Sequence, residues 1–160
     1  MIQISVSKRL SFFVLVCAMF IGSVGAQSLQ SPLPFNSNIK TGTLPNGMRY
    51  YIQPNAKPEK KVELRLAVNA GSILENDDQQ GMAHFIEHMN FNGTEHYPKN
   101  ALVDYLQSIG VQFGADLNAY TSFDETVYQL PLPSDDAQIL ANGLLIMRDW
   151  ANGATLDATE

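Results

Sequence analysis

Two histidines and a glutamate stand close together in Gly81-Met82-Ala83-His84-Phe85-Ile86-Glu87-His88-Met89. Residues four apart on a helix share a face, so His84 and His88 project one turn above the other. Two imidazole nitrogens placed in this way can close on one tetrahedral zinc ion. Glu87 brings a carboxylate to the same patch without having to be a ligand. A carboxylate beside a metal-activated water can take its proton and leave a hydroxide nucleophile. The plainer alternative is a solvated helix face that happens to carry these three residues. Against it, the chain holds 3 histidines, and two of them fall in this stretch.

The elements that must position these residues follow from patterning. A helix is expected from about Gln79 to Asn90, with Asn76-Asp77-Asp78 as caps and Met82, Phe85, Ile86 and Met89 as its buried apolar side. Upstream, Leu44-Pro45-Asn46-Gly47 is a turn signal, and its flanks, Lys40 to Leu44 and Met48 to Gln53, predict a β-hairpin. Lys61 to Asn69 alternates, with Val62, Leu64, Leu66 and Val68 on one face and Glu63 and Arg65 on the other. That is a strand with one buried side. Downstream, Pro98 suits the first turn of a second helix that turns Leu102, Val103, Leu106 and Ile109 inward and stops at Gly110. His96 lies in the polar loop between these helices, either as a third ligand or, more simply, as a solvated loop residue. Val111 to Tyr120 predicts a short strand, and Thr126 to Leu130 another, closed by Pro131 and Pro133. Ser134-Asp135-Asp136 then caps a long helix with Ile139, Leu140, Leu144, Met147 and Trp150 on its apolar stripe, ending at Asn152-Gly153. This order of elements predicts an α+β domain, a mostly antiparallel sheet with helices packed on one face.

Composition narrows the function. With 45% hydrophobic and 16% charged residues, the 160-residue chain can bury a core. The net charge is −6, and no basic patch with interleaved aromatics relieves it, which argues against nucleic acid as a partner. Lys8 and Arg9 precede an apolar run from Leu10 to Val24 and small residues at Val24-Gly25-Ala26. This is the order of a secretory signal peptide, residues 1–26, cut after Ala26. The run is short for a membrane span, so no stable insertion is expected after cleavage. The single cysteine, Cys17, leaves with the leader, so neither a disulfide nor a thiolate ligand is expected in the mature chain. Residues 27–40 read as an extended linker, and 41–160 as the domain that carries the motif.

His-x-x-Glu-His is the inverted form of a commoner zinc-peptidase signature. Together with Phe91-Asn92-Gly93-Thr94 and Tyr97-Pro98-Lys99, the motif stretch resembles the pitrilysin (insulinase-type) zinc metallopeptidase family. A second block, from Phe113-Gly114-Ala115-Asp116-Leu117-Asn118 through Ala119-Tyr120-Thr121-Ser122-Phe123-Asp124-Glu125-Thr126, fits the same family. The similarity is greatest to its large bacterial periplasmic members and runs from about Lys40 to the end of the chain. The resemblance implies zinc as cofactor, His84 and His88 as ligands and Glu87 as general base. It places Asn118, Ala119, Tyr120 and Thr121 on a strand beside the zinc that pairs with substrate backbone, a role suited to extended peptides or unfolded protein segments. Without it, this run reads as an ordinary turn into a strand, with Asn118 open to either role. Asp124 and Glu125 either support the histidines or are solvated.

One part of the family's pattern is missing. The third protein ligand is a glutamate on a later helix, and Glu160 falls short of it, so that ligand is expected beyond Glu160. The chain therefore reads as the incomplete amino-terminal part of a catalytic domain whose parent also holds a homologous carboxy-terminal half. Two histidines alone should hold zinc weakly, and the piece alone is expected to be inactive. The expected function is secreted or periplasmic zinc endopeptidase activity in the parent. A peptide-binding scaffold of the same fold without turnover is the alternative. A lyase with a similar inverted motif takes a cysteine as third ligand, which the mature chain lacks.

Overall fold

The computed structural model describes residues 34–157 apart from 113 and 115–117. The expected leader, the linker up to residue 33 and Glu160 lie outside the described residues. The chain divides into two compact units, one ending at Pro54 and the other beginning at Asn55.

In the first unit, β1 (Lys40–Thr43) and β2 (Arg49–Ile52) form the expected antiparallel hairpin, in register from Lys40↔Ile52 to Thr43↔Arg49. Leu44 N donates to Met48 O at 2.8 Å and Gly47 N to Leu44 O at 2.9 Å, which closes the turn.

The second unit is built on a three-stranded antiparallel sheet. Its strands are β3 (Val62–Val68), β4 (Asn118–Thr121) and β5 (Thr126–Leu132), in the order β3-β5-β4. Three helices accompany it: α1 (Met82–Asn92), α2 (Ala101–Ser108) and α3 (Ala137–Asn152). The core gathers Leu102 and Leu106 of α2, Val111, Tyr128, Leu130 and Leu132 of β5, and Ile146 and Trp150 of α3. Val62, Leu64, Leu66 and Ala119 pack against it, while Glu63 and Arg65 are exposed. Alternate positions of every strand thus face the helices, which is the one-sided α+β arrangement expected.

β5 runs two residues further than expected and contains Pro131, paired with Glu63. The hydrogen-bond alternation explains why. Ser122 N donates to Glu125 O at 2.8 Å, so odd-numbered residues of β5 point their backbone groups toward β4 and even-numbered ones toward β3. Pro131 faces the β4 side, beyond the last described pair, Asn118↔Gln129. Its missing N–H therefore takes nothing from the pairing with β3. The same alternation turns the backbone groups of Asn118 and Tyr120 toward β5 and those of Ala119 and Thr121 toward the edge that no described strand pairs with.

The helices depart from expectation in instructive ways. α3 has its predicted cap, Asp136 Oδ1 accepting from Gln138 N and Ile139 N at 2.8 and 3.1 Å. Its buried line, however, runs through Gly143, Ile146, Asp149 and Trp150, and Leu144 is 54% exposed. Leu144 sits about 100° round the helix from Gly143, just off that line. α2 starts at Ala101, three residues after Pro98, so the proline precedes the helix and does not open it. Of the segment Val111 to Tyr120, the described residues form a strand only from Asn118.

Candidate metal centre

α1 begins three residues later than expected, and Asn76-Asp77-Asp78 do not cap it. Gly81, at φ +90°, turns the chain into the helix in a left-handed conformation that a glycine adopts without steric cost. The free N–H groups behind it are taken by Glu75, whose Oε2 accepts from Gly81 N at 2.7 Å and Oε1 from Ala83 N at 2.8 Å. These backbone bonds to Ala83 and Gly81 hold the Glu75 carboxyl below its ordinary range. A carboxylate eight residues upstream therefore secures the turn that carries His84. Only the side-chain type hints at this in the sequence.

Of the expected apolar side of α1, the helix buries Met89 alone. Met82, Phe85 and Ile86 are exposed, whereas Glu87, Met89 and Asn90 are buried, at 7%, 5% and 2% exposure. The sheet explains this, because β4 and β5 present polar partners to the helix. Thr121 Oγ1 donates to Glu87 Oε2 at 2.7 Å, and Asn90 Nδ2 donates to Tyr128 Oη at 2.7 Å. Burial raises the Tyr128 phenol, the bond from Asn90 partly offsets this, and the nearby Glu87 charge adds to it. Trp150 Nε1 donates to Asn90 O at 3.2 Å, and the Trp150 ring stacks on Tyr128 at 5.2 Å between centroids. The carboxy-terminal half of α1 is thus fixed to both β5 and α3.

On the exposed side, His84 Nε2 and His88 Nε2 lie 3.1 Å apart, with ring centroids 4.7 Å apart. Two nitrogens bound at 2.0–2.1 Å to one tetrahedral zinc stand roughly 3.3 Å apart. The imidazole pair therefore fits a zinc ion with little movement. Glu87 is the next residue in the chain before His88 but turns toward the sheet, beside the pair rather than part of it. A groove of about 360 Å³ runs along His84, lined by Ser72, Glu75, Gly81, Thr121, Ser122 and Phe123.

The residues expected to form the substrate strand lie next to the histidine pair. Asn118, Ala119, Tyr120 and Thr121 make up β4, the edge of the sheet among the described residues, and α1 packs against it. Ala119 and Thr121 turn their side chains to the helices, and Asn118 and Tyr120 carry theirs on the exposed face. The tip of the β4–β5 hairpin is held from outside, since Ser72 N donates to Ser122 O at 3.1 Å and Ile73 N to Phe123 O at 2.8 Å. Asp124 accepts from Ser122 Oγ, and Glu125 accepts from Tyr120 Oη. Neither bonds to the histidines.

His96 is not a free loop residue. Its Nδ1 lies 2.9 Å from Asp149 Oδ1, and its N–H donates to Asp149 Oδ2 at 3.1 Å, an oxygen that also accepts from Thr94 Oγ1 at 2.7 Å. Glu95, His96 and Asp149 bring ligand-type atoms within 4.8 Å of one another. The Asp149 oxygens are already committed, however, and the group ties the loop after α1 to the end of α3. Asp149 itself escaped notice in the sequence, although its spacing from Ile146 puts it on the buried line.

Comparison with known proteins identifies the family. Residues 50–160 match the insulinase family, peptidase family M16. The chain belongs to that family. It is 40% identical over 155 residues to the probable zinc protease PqqL of Escherichia coli, covering 97% of this chain and 16% of that protein. It is 41% identical over 106 residues to the chloroplastic stromal processing peptidase of Pisum sativum, covering 66% of this chain and 8% of that one. Among solved structures, the first half of the periplasmic protease PqqL from Escherichia coli superposes with a TM-score of 0.76 at 46% identity, over 80% of this chain and 27% of that one. The chain thus spans 16% of the length of the PqqL proteins it matches.

Proposed function

We propose that this chain is the amino-terminal catalytic region of a secreted or periplasmic zinc endopeptidase that hydrolyses extended peptides. The observation that carries the reading is the His84–His88 nitrogen pair, 3.1 Å apart, beside a buried Glu87 held by the sheet. His84 and His88 serve as ligands, with a third ligand supplied from outside these residues. Zinc, when bound, supplies the Lewis acidity that activates the attacking water and polarises the scissile carbonyl. Glu87 takes the proton of that water and passes it to the leaving amine. The open edge of β4 receives the substrate as an added strand, through the outward backbone groups of Ala119 and Thr121. Main-chain pairing requires an unfolded or extended substrate and tolerates many sequences. A homologous second half completes the protein, a reading supported by the solved first half of PqqL. The leader pattern at residues 1–26 and the periplasmic description of PqqL support export.

The test is hydrolysis of a quenched fluorescent peptide library by the full-length protein. Activity should vanish with a chelator and return with zinc. A folded, zinc-loaded protein without hydrolysis would leave a peptide-binding scaffold as the better reading. His88→Ala should lose both zinc and activity, measured as metal content and turnover, because His84 and the one outside ligand that remain should hold the ion only weakly. Asn118→Ala is expected to lower kcat/KM by about 10-fold at unchanged zinc content. No kinetic change would reduce Asn118 to a residue of turn geometry.

A further inference from the structure

Glu87 is the one member of the motif that is buried, and its orientation is set by the sheet rather than by its own helix. Thr121 Oγ1 donates to Glu87 Oε2 at 2.7 Å. Behind it, the buried Thr126 hydroxyl lies 2.9 Å from Ala70 O and 3.3 Å from Thr121 Oγ1. Thr126 has a single proton for those two acceptors. The proton of Thr121, by contrast, has the carboxylate as its partner. A hydroxyl donating to an ionised carboxylate makes a strong, charge-assisted bond that fixes the rotation of the group. Thr121 is also one of the two β4 residues whose backbone groups face the open edge. One residue thus touches the general base with its side chain and borders the peptide-docking edge with its main chain.

We infer that Thr121 is a positioning residue for Glu87: its hydroxyl anchors one carboxylate oxygen and so presents the other to the proton that must move. The inference rests on the peptidase reading above. A general base works only within hydrogen-bond reach of its proton, and a small misplacement costs turnover rather than binding. Seating a substrate strand against Thr121 would also steady the residue that holds the base, so that docking and proton transfer share a support.

The experiment compares Thr121→Val, which keeps the branched shape without the hydroxyl, with Thr121→Ser, which keeps the hydroxyl, in the full-length zinc-loaded protein. Thr121→Ala stands in if the valine variant fails to fold. Thr121→Val should lower kcat by about 10- to 100-fold, the effect of losing one hydrogen bond to a charged group. KM and zinc content should stay within about twofold, and Thr121→Ser should recover most of the loss. In a Glu87→Gln background, Thr121→Val should cause no further loss of turnover and leave peptide affinity, read by fluorescence anisotropy, unchanged. Wild-type kcat in Thr121→Val, a rise in KM alone, or equal losses in the valine and serine variants would overturn the inference. If Glu87→Gln itself retained full turnover, the peptidase assignment of Glu87 would fail instead, which keeps the two failures apart.

Discussion

Glu87→Gln should leave zinc in place while lowering peptide hydrolysis by about 10²- to 10⁴-fold, the usual contribution of a general base. The substitution preserves the size of the side chain and an oxygen that can accept from Thr121, so the helix and its histidines should stay where they are. What it removes is the ability to take a proton. Metal content by atomic absorption and turnover of a fluorescent peptide separate the two effects. In His88→Ala, by contrast, metal and activity should fall together. Equal zinc loss in both variants would sink the division of roles between ligand and base.

The second large effect concerns a residue remote from the chemistry. Asp149 is 1% exposed, and its carboxylate accepts from the Thr94 hydroxyl and the His96 backbone N–H while also meeting the His96 ring. Asp149→Ala strips several donors of their partner in one step and should cost about 2–4 kcal/mol, read as a lower urea midpoint of the full-length protein. Asp149→Asn should cost less, because its amide oxygen still accepts. Burial pushes the Asp149 carboxyl up, but the bonds from Thr94 and His96 outweigh it and hold the group below the ordinary aspartate range. The native value lies below the unfolded one, so the stabilisation is fully present above about pH 4 and is lost as pH falls through the depressed native value. Over that acid window the urea midpoint of the wild type should fall, while that of Asp149→Asn should change less. Parallel pH profiles would show that Asp149 is not the group concerned.

Much of this fold is legible in the sequence. The alternation from Val62 to Leu66, the turn at Leu44–Gly47 and the Asp136 cap are local signals, and each appears where the sequence puts it, although Val68, expected on the same buried face, is exposed. The spacing of His84, Glu87 and His88 was equally legible, because four residues on a helix bring two side chains to one face whatever surrounds them. What escaped depends on contacts between distant parts of the chain. Hydrophobicity placed Met82, Phe85 and Ile86 inward, yet the sheet presents Thr121 and Tyr128 to α1, so Glu87 and Asn90 occupy the inner face. The carboxylate that holds the start of α1, Glu75, follows a 3-10 turn at Ser72–Leu74 and reaches forward to Gly81 and Ala83, a link that no local pattern announces. Pro131 reads as a terminator because sequence alone cannot say that its missing N–H faces away from β3.

The clamp on the β4–β5 hairpin bears on how a peptide would be received. Ser72 and Ile73 donate to the backbone of Ser122 and Phe123, and Gly71 lies so near that an added Cβ would overlap the Ser122 carbonyl. On the proposed reading, the strand that would receive a substrate is braced at its hairpin tip before any peptide arrives. Most of the ordering entropy of association then falls on the incoming peptide, so a cyclic or otherwise preorganised strand mimic should gain more affinity here than it would at a mobile edge.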